Sequence, residues 1–470
     1  MAIGQANVKK AVESELVIQE FHISITPVGH DVYLLRTEAV EAGVPLAETQ
    51  VTWPVDDWLA QTEALFRDPL QVLLATPRAE GWPSPETVDN NAAMRLGQSL
   101  YQHLFQGRIR DSWLAAQGVA QNRQQPLRLR LGFKDSRLQR LPWELLYGDD
   151  RGLATGTDVT LCRYYQTQGL STVDLATMPP LALGTAPLNV LVVISAPNDQ
   201  ERLALNQEIQ QIMADLRSLA FSNGGSLPAY PSSRHQPLTI NLTILEQPGR
   251  SELVQALEQG NFQVLHYAGH SDVGGTGGDL YLVNRQTGLT ESLRGNDLAG
   301  LLVNNGIWLA VFNSCRGAYI PQDDAQSVWR EQNLVQALVN RGVPAVIAMA
   351  ERIPDDVAIL FTQLLYRNLR QGYPVDLCLS RVRQGLMSAH HSDQPLWMLP
   401  LLYLRPGFDG YLYASSTESA AVVDPLNALT PGLEPALVPP DYSTDPDISG
   451  LAREVFAGHA AIATPQPVPT

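Results

Sequence analysis

Three cysteines among 470 residues, Cys162, Cys315 and Cys378, are too few and too scattered for a disulfide framework or a zinc site. No metal is expected, and a reducing cytoplasm is the expected compartment. Basic residues are also scarce: 32 Lys and Arg stand against 48 Asp and Glu, a net charge of −16. That balance excludes non-specific binding to nucleic acid or to an anionic lipid surface. No run of 18 or more apolar residues is present, so no membrane span is expected. The opening Met1-Ala2-Ile3-Gly4-Gln5 has no basic region followed by an apolar core, so no secretory leader is expected. No period of 20–50 residues recurs, which excludes a solenoid array. The cluster Gly274-Gly275-Thr276-Gly277-Gly278 lacks a following Lys-Ser or Lys-Thr, and no Gly-rich fingerprint follows the apolar run 190–194. A nucleotide-binding α/β protein is therefore disfavoured, no cofactor is expected, and the glycines read as a loop.

What is present is enough apolar material, 44% of residues, for a large core in one to three domains. Residues 21–25 alternate like a strand, and 32–35 follow after Gly29-His30-Asp31, predicting an N-terminal hairpin. Apolar spacing predicts helices around Trp58–Phe66 and around Met94–Phe105. Leu127, Leu129 and Leu131 alternate with Arg128 and Arg130, predicting a half-buried strand. After a Pro-rich connector at 177–187, short apolar runs alternate with helical spacing. Strands are expected at 190–194, 238–245, 262–267, 307–312, 345–349 and 401–404. Helices are expected around 203–216, 253–257, 298–302, 328–338, 357–369 and 375–387. This β-α-β rhythm requires a mostly parallel sheet covered on both faces by helices. From about residue 414 Ser, Thr, Ala and Pro dominate, a composition that favours disorder. The expected organisation is a hairpin segment at 1–55, an α+β region at 56–180, the parallel α/β region at 181–413 and a tail at 414–470.

Two of the expected strands end in reactive residues: one runs into His266-Tyr267-Ala268-Gly269-His270-Ser271, the other into Asn313-Ser314-Cys315-Arg316-Gly317. Parallel strands place their carboxyl ends along one edge, where ligands bind. A Cys and a His side by side there supply a sulfur nucleophile and a group to move protons. A lone Cys is more often buried and inert, and Cys162 and Cys378 read that way. Cys315 differs, with the cation Arg316 beside it to favour a thiolate. His266 shares a strand face with Phe262 and Val264 and reads as a hydrogen-bonded core histidine, whereas His270 lies past the strand end among glycines. Trp143-Glu144 reads as packing plus a structural hydrogen bond, His390-His391 as a surface pair, and Asp323-Asp324 as solvated acids.

The two stretches resemble the CHAT family of caspase-like (clan CD) cysteine peptidases, which is related to separase. His270 matches the family's H-x-x-x-H-G histidine and Cys315 its S-A-C-x-G cysteine. The His lies about 45 residues upstream of the Cys, close to the roughly 50 of the caspase signature. Leu141-Pro142-Trp143-Glu144-Leu145-Leu146 resembles the upstream L-P-W-E-L-L signature, and Gly342-Val343-Pro344-Ala345-Val346 the G-x-P-A-V strand. Ser271 departs from the family, which usually has Gly there.

The resemblance implies a caspase-like mostly parallel sheet with a supporting or pseudo-caspase N-terminal region. It implies regulatory cleavage of specific protein substrates by a His270–Cys315 dyad, in bacterial signalling, immunity or programmed death. The backbone N–H groups of Ser271 and Cys315 would bind the oxyanion, and a regulatory protein partner is expected. It also implies that the strand 345–349 helps to form the substrate pocket, which places Met349, Glu351 and Asp272 beside it. Many relatives carry an aromatic residue near Glu351. An acid there favours a basic substrate side chain, against the plainer alternative of an apolar pocket with Glu351 neutralised by Arg352. The rival reading from another class is a catalytically silent caspase-fold scaffold that acts by protein–protein interaction.

Overall fold

The computed structural model of the chain describes residues 18–66, 91–148, 151–165, 178, 181, 186–200, 238–272, 278–314, 329–351, 353–390 and 395–413. All of them belong to a unit spanning Met1–Ser419. The expected helix at 203–216, the glycine loop through Gly277, Cys315, Arg316, Asp323, Asp324, Arg352, His391 and the tail from residue 414 lie outside the described residues.

The N-terminal hairpin forms as its alternation predicts. Strand β1 (Gln19–Gly29) pairs antiparallel with β2 (Val32–Val40). Asp31 closes the turn at φ 56°, a left-handed conformation that Asp tolerates better than most residues. Strand β3 (Glu48–Thr52) flanks β2, and helix α1 (Val55–Phe66) buries Trp58. Helix α2 (Ala92–Leu104) is the second expected helix. Helix α3 (Gly107–Arg123) goes beyond the prediction. Its buried stripe of Ile109, Trp113, Ala116 and Ala120 has helical spacing, but two alanines leave that stripe faint in sequence.

Strand β4 (Leu127–Phe133) corrects the half-buried expectation, because it is buried on both faces. It lies in parallel between β1 and β7 (Val159–Tyr165), and Arg128 and Arg130 are only 0% and 1% exposed. Their guanidinium groups are fully engaged. Arg128 donates from Nε and Nη2 to the two oxygens of Asp376, each at 2.8 Å, and from Nη1 to Glu20 at 2.9 Å. Arg130 grips Glu20 at 2.7 and 3.0 Å and donates to the Leu404, Arg405 and Phe408 carbonyls. Burial alone would push the Glu20 carboxyl up. Hydrogen bonds from His22 and Arg130, with the Arg128 and Arg130 charges, outweigh that and hold it well below the usual carboxylate range.

Between β4 and β7 come the short helix α4 (Ser136–Gln139), the 3-10 turn Trp143–Leu145 and the small ribbon of β5 (Tyr147–Gly148) and β6 (Arg151–Gly152). Trp143 is buried, stacks on Phe133 with ring centroids 5.1 Å apart, and donates to the Leu138 carbonyl at 2.7 Å. Glu144 is buried against Arg163, which donates to it from both Nε and Nη2. This is the packing and structural bonding that the residue types predict.

The second half alternates as its sequence does. Strands β8 (Leu188–Ser195), β9 (Ile240–Glu246) and β10 (Val264–Gly269) run parallel, with α5 (Arg250–Gln259) before β10. A three-stranded sheet of β11 (Ser271–Asp272), β12 (Asp279–Val283) and β13 (Thr290–Arg294) follows, absent from the sequence reading. Then come α6 (Gly295–Asn304), β14 (Leu309–Ser314), α7 (Trp329–Arg341), β15 (Ala345–Met349), α8 (Asp355–Arg370), α9 (Val375–Ala389) and β16 (Pro400–Leu404).

Among the described residues, eleven strands form one sheet in the order β3-β2-β1-β4-β7-β16-β15-β14-β10-β8-β9. The sheet is mostly parallel, the fold class expected. Its polarity reverses at the antiparallel pair of β15 and β16. One face packs on α8 and α9 through Phe361, Leu365 and Leu379, the other on α5, α6 and α7 through Leu257, Leu302 and Leu338. No described helix is long and apolar enough to cross a membrane.

Removing Asp376 strands a desolvated guanidinium. Asp376→Ala is expected to cost about 3–5 kcal/mol in chemical denaturation, as breaking one side of a buried pair does. A loss below 1 kcal/mol would show that Glu20 and the Asp409 carbonyl suffice for Arg128. Glu20 adds an acid dependence. Its pKa is lower folded than unfolded, so its stabilisation is complete above the ordinary carboxylate pKa of roughly 4 and fades as pH falls below it. Stability measured against pH should therefore fall more steeply in acid for the wild type than for Glu20→Gln, and the two curves should converge.

Candidate functional site

The site begins with β10. Its residues Val264 to Gly269 are buried throughout, as a strand covered on both faces must be. Val264 and Ala268 face the α8–α9 layer, while Leu265 and Tyr267 face the α5–α7 layer. His266 shares the face of Val264 and is fully buried, as expected. Its Nδ1 lies 3.0 Å from the Tyr366 hydroxyl on α8, and the two rings stack with centroids 5.7 Å apart. Phe262 does not share that face: it precedes the strand and joins the opposite layer, because pairing begins only at Val264. This histidine is part of the sheet's interior, three residues before the strand ends at Gly269.

At that edge, register aligns three strand ends. Gly269 is opposite Ser195 on β8 and Ser314 on β14. The next residue after Gly269 is His270, and the next after Ser314 is Cys315. His270 is 5% exposed, more enclosed than a position past the strand end predicts. Its carbonyl accepts from the Tyr281 N–H at 3.1 Å. Ser271, half-buried, starts β11 opposite Leu280, and Asp272 follows opposite Asp279. Gly269 itself admits no side chain, since a Cβ there would stand 2.5 Å from the Ser195 carbonyl.

The strand expected to border a pocket, β15, lies beside β14 with Phe312 opposite Ala348. Met349 at its end is buried in the core beside the α8–α9 layer, and Glu351 is half-buried just beyond. Asn313, the residue before Ser314, is buried with its amide 3.5 Å from the Thr362 hydroxyl. Among the described residues no group of His, Cys, Asp and Glu is arranged to hold a metal ion.

Both described cysteines are buried, as their sequence setting predicts. Burial pushes the Cys162 thiol up to about 12, against the pull of Arg130 and Arg128, and burial likewise raises Cys378. Neither presents a thiolate. His390 lies on the outer end of α9, 3.9 Å from Asp356.

The small β11–β13 sheet beside His270 is legible in principle. Leu280 and Leu282 alternate around Tyr281, and the Asn284 side chain accepts from the Gln286 and Thr287 N–H groups, an Asx turn between two strands.

Residues 86–417 match the model of a family described as the CHAT domain. No curated protein matches the sequence significantly. Among solved structures, the chain is similar to Saccharomyces cerevisiae separase in its complex with securin, at 12% identity and a TM-score of 0.41. The match covers 82% of this chain but only 30% of that one. It is also similar to the Arg specific cysteine proteinase gingipain R, at 11% identity and a TM-score of 0.36, over 69% of this chain and 68% of that one. A complex of pro- and mature domains of the Porphyromonas gingivalis proteinase gives 10% identity and a TM-score of 0.36 over 75% of each chain. These likenesses are distant, and the family assignment rests on the family model.

His266→Ala removes a packed ring and one hydrogen-bond partner of the Tyr366 hydroxyl, at a cost of roughly 1–3 kcal/mol. The variant should melt earlier than the wild type, and an unchanged melt would show that the pair contributes little to stability.

Proposed function

This chain belongs to the CHAT domain family, and we propose that it is a cysteine endopeptidase that cuts specific protein substrates with a His270–Cys315 dyad. The observation that carries the reading is the register of β10 and β14. Gly269 and Ser314 are partners on adjacent parallel strands, and in the sequence His270 and Cys315 are the residues that come next. Neighbouring strands lie about 4.8 Å apart, close enough for a sulfur and an imidazole to serve one substrate carbonyl. The family's L-P-W-E-L-L segment supports the reading from the other half, where Trp143 and Glu144 are built into the core.

The Cys315 thiol passes its proton to His270, and the sulfur attacks the scissile carbonyl carbon and forms a C–S bond. The carbonyl oxygen becomes an oxyanion, held by the backbone N–H groups of Ser271 and Cys315. His270 delivers a proton to the leaving nitrogen as the C–N bond breaks. Water then attacks the thioester, the C–S bond breaks, and the thiol is restored as the new carboxylate departs. A protein substrate is required throughout, and a regulatory protein partner fits a peptidase that acts on chosen targets. Met349, Glu351 and Asp272 are the residues assigned to the substrate pocket.

A peptidyl electrophile should label Cys315 and leave buried Cys162 and Cys378 untouched. Cys315→Ala should abolish both labelling and cleavage. His270→Ala should abolish cleavage while melting close to wild type. Near-wild-type cleavage by either variant would falsify the dyad. A folded wild type that is neither labelled nor active on a peptide library would favour the silent scaffold.

A further inference from the structure

Tyr267 lies beneath the edge where His270 sits and has no part in the chemistry above. Its ring is buried in the α5–α7 layer beside Phe312, with centroids 6.3 Å apart. Its hydroxyl rises to the end of the strand, 2.6 Å from the His270 carbonyl oxygen and 2.7 Å from the Tyr281 carbonyl oxygen. Burial holds the phenol well above its ordinary pKa, so it remains a donor. A hydroxyl has one proton and a buried donor must use it. The two carbonyls are its acceptors. The same hydroxyl would stand 2.6 Å from a Cβ at position 269, which is a second reason for a glycine there.

The His270 carbonyl thus has two donors, the Tyr267 hydroxyl and the Tyr281 N–H. In a trans peptide the C=O and the following N–H point in opposite directions. Anchoring the His270 oxygen inward therefore aims the Ser271 N–H outward. Strand pairing gives the same direction independently. The bond from Tyr281 N–H to the His270 oxygen makes Ser271 and Leu280 a pair that exchanges no hydrogen bonds with each other. The N–H of Ser271 therefore points away from β12.

We propose that Tyr267 is a positioning residue that fixes the peptide between His270 and Ser271, so that the Ser271 N–H is already aimed at the oxyanion of the substrate. The inference rests on the peptidase reading. It explains how Ser271 can replace a glycine at this position: the peptide is locked by the core and needs no backbone freedom of its own.

The test compares the wild type with Tyr267→Phe, which keeps the buried ring and removes the hydroxyl. Turnover is measured on a peptide cut by the wild type, and alkylation of Cys315 by iodoacetamide is followed against pH. Alkylation builds no oxyanion, so it reports the thiolate and His270 without Ser271. The expected result is a fall in kcat of about tenfold, less than the 10²–10³ that losing an oxyanion donor outright would cost. KM should stay within about twofold, and the alkylation rate and its pH profile should be unchanged. Iodoacetamide also counts folded molecules, because Cys162 and Cys378 react only when the core opens, and kcat is expressed per molecule with those two thiols protected. An unchanged kcat, or alkylation that falls in parallel with kcat, overturns the assignment. If the wild type itself neither cleaves nor alkylates at Cys315, the peptidase reading fails and takes this inference with it. If the wild type is active and Tyr267→Phe matches it, only the role of Tyr267 falls.

Discussion

Arg128 sits in a strand with no access to water, and a desolvated guanidinium must be met by carboxylate and carbonyl oxygens. Asp376 supplies two of them from α9 and Glu20 a third from β1, while Thr160 donates to Asp376 at 2.6 Å. The requirement ties the first strand, the middle of the first half and the last described α-helix together. Helix α9 then packs beneath β16, and β16 pairs with β15, the neighbour of β14. The charge network is thus linked to the strands of the candidate site through α9, β16 and β15.

A second buried charge group works in the same layer. Glu144 meets Arg163 on β7 and approaches Arg383 on α9 at 3.7 Å, and Arg383 donates to the Pro400 carbonyl at 2.8 Å. Burial, with Arg163 nearby, draws Arg383 down to about 10 although Glu144 pulls the other way. This group braces the junction where the sheet reverses polarity, between β7, β16 and β15. Five strands on one side of that junction, β15, β14, β10, β8 and β9, run parallel and present their carboxyl ends together. The His270 carbonyl is tied to β12 by the Tyr281 N–H and to the core by the Tyr267 hydroxyl.

Legibility in the sequence tracked how strongly one physical effect dominated. The runs around Val190, Val264, Leu309 and Val346 were plain because a strand buried on both faces is apolar at every position. Helices α8 and α9 showed a clear periodic stripe. Helix α3 is faint in the sequence because two of its five buried positions are alanines and one is a serine. Strand β4 was misread as half-exposed, since alternation of Leu and Arg looks the same whether the arginines meet water or carboxylates. His266 was readable as a core residue from its strand position, but its partner Tyr366, a hundred residues away, was not.

The sequence alone determined the α/β class, the place of His270 just past the end of an apolar strand, and the family. These are local properties: apolar run length, periodicity, and short motifs in order. Tertiary structure decided that β10 and β14 are neighbours in matching register, that β12 pairs beside His270, and that two arginines are buried beside Asp376 and Glu20. It also decided that Tyr267 reaches back to the carbonyl three residues on. These are non-local pairings, set by packing two layers of helices on one sheet, and no local pattern of residues encodes which distant partner will satisfy a buried polar group.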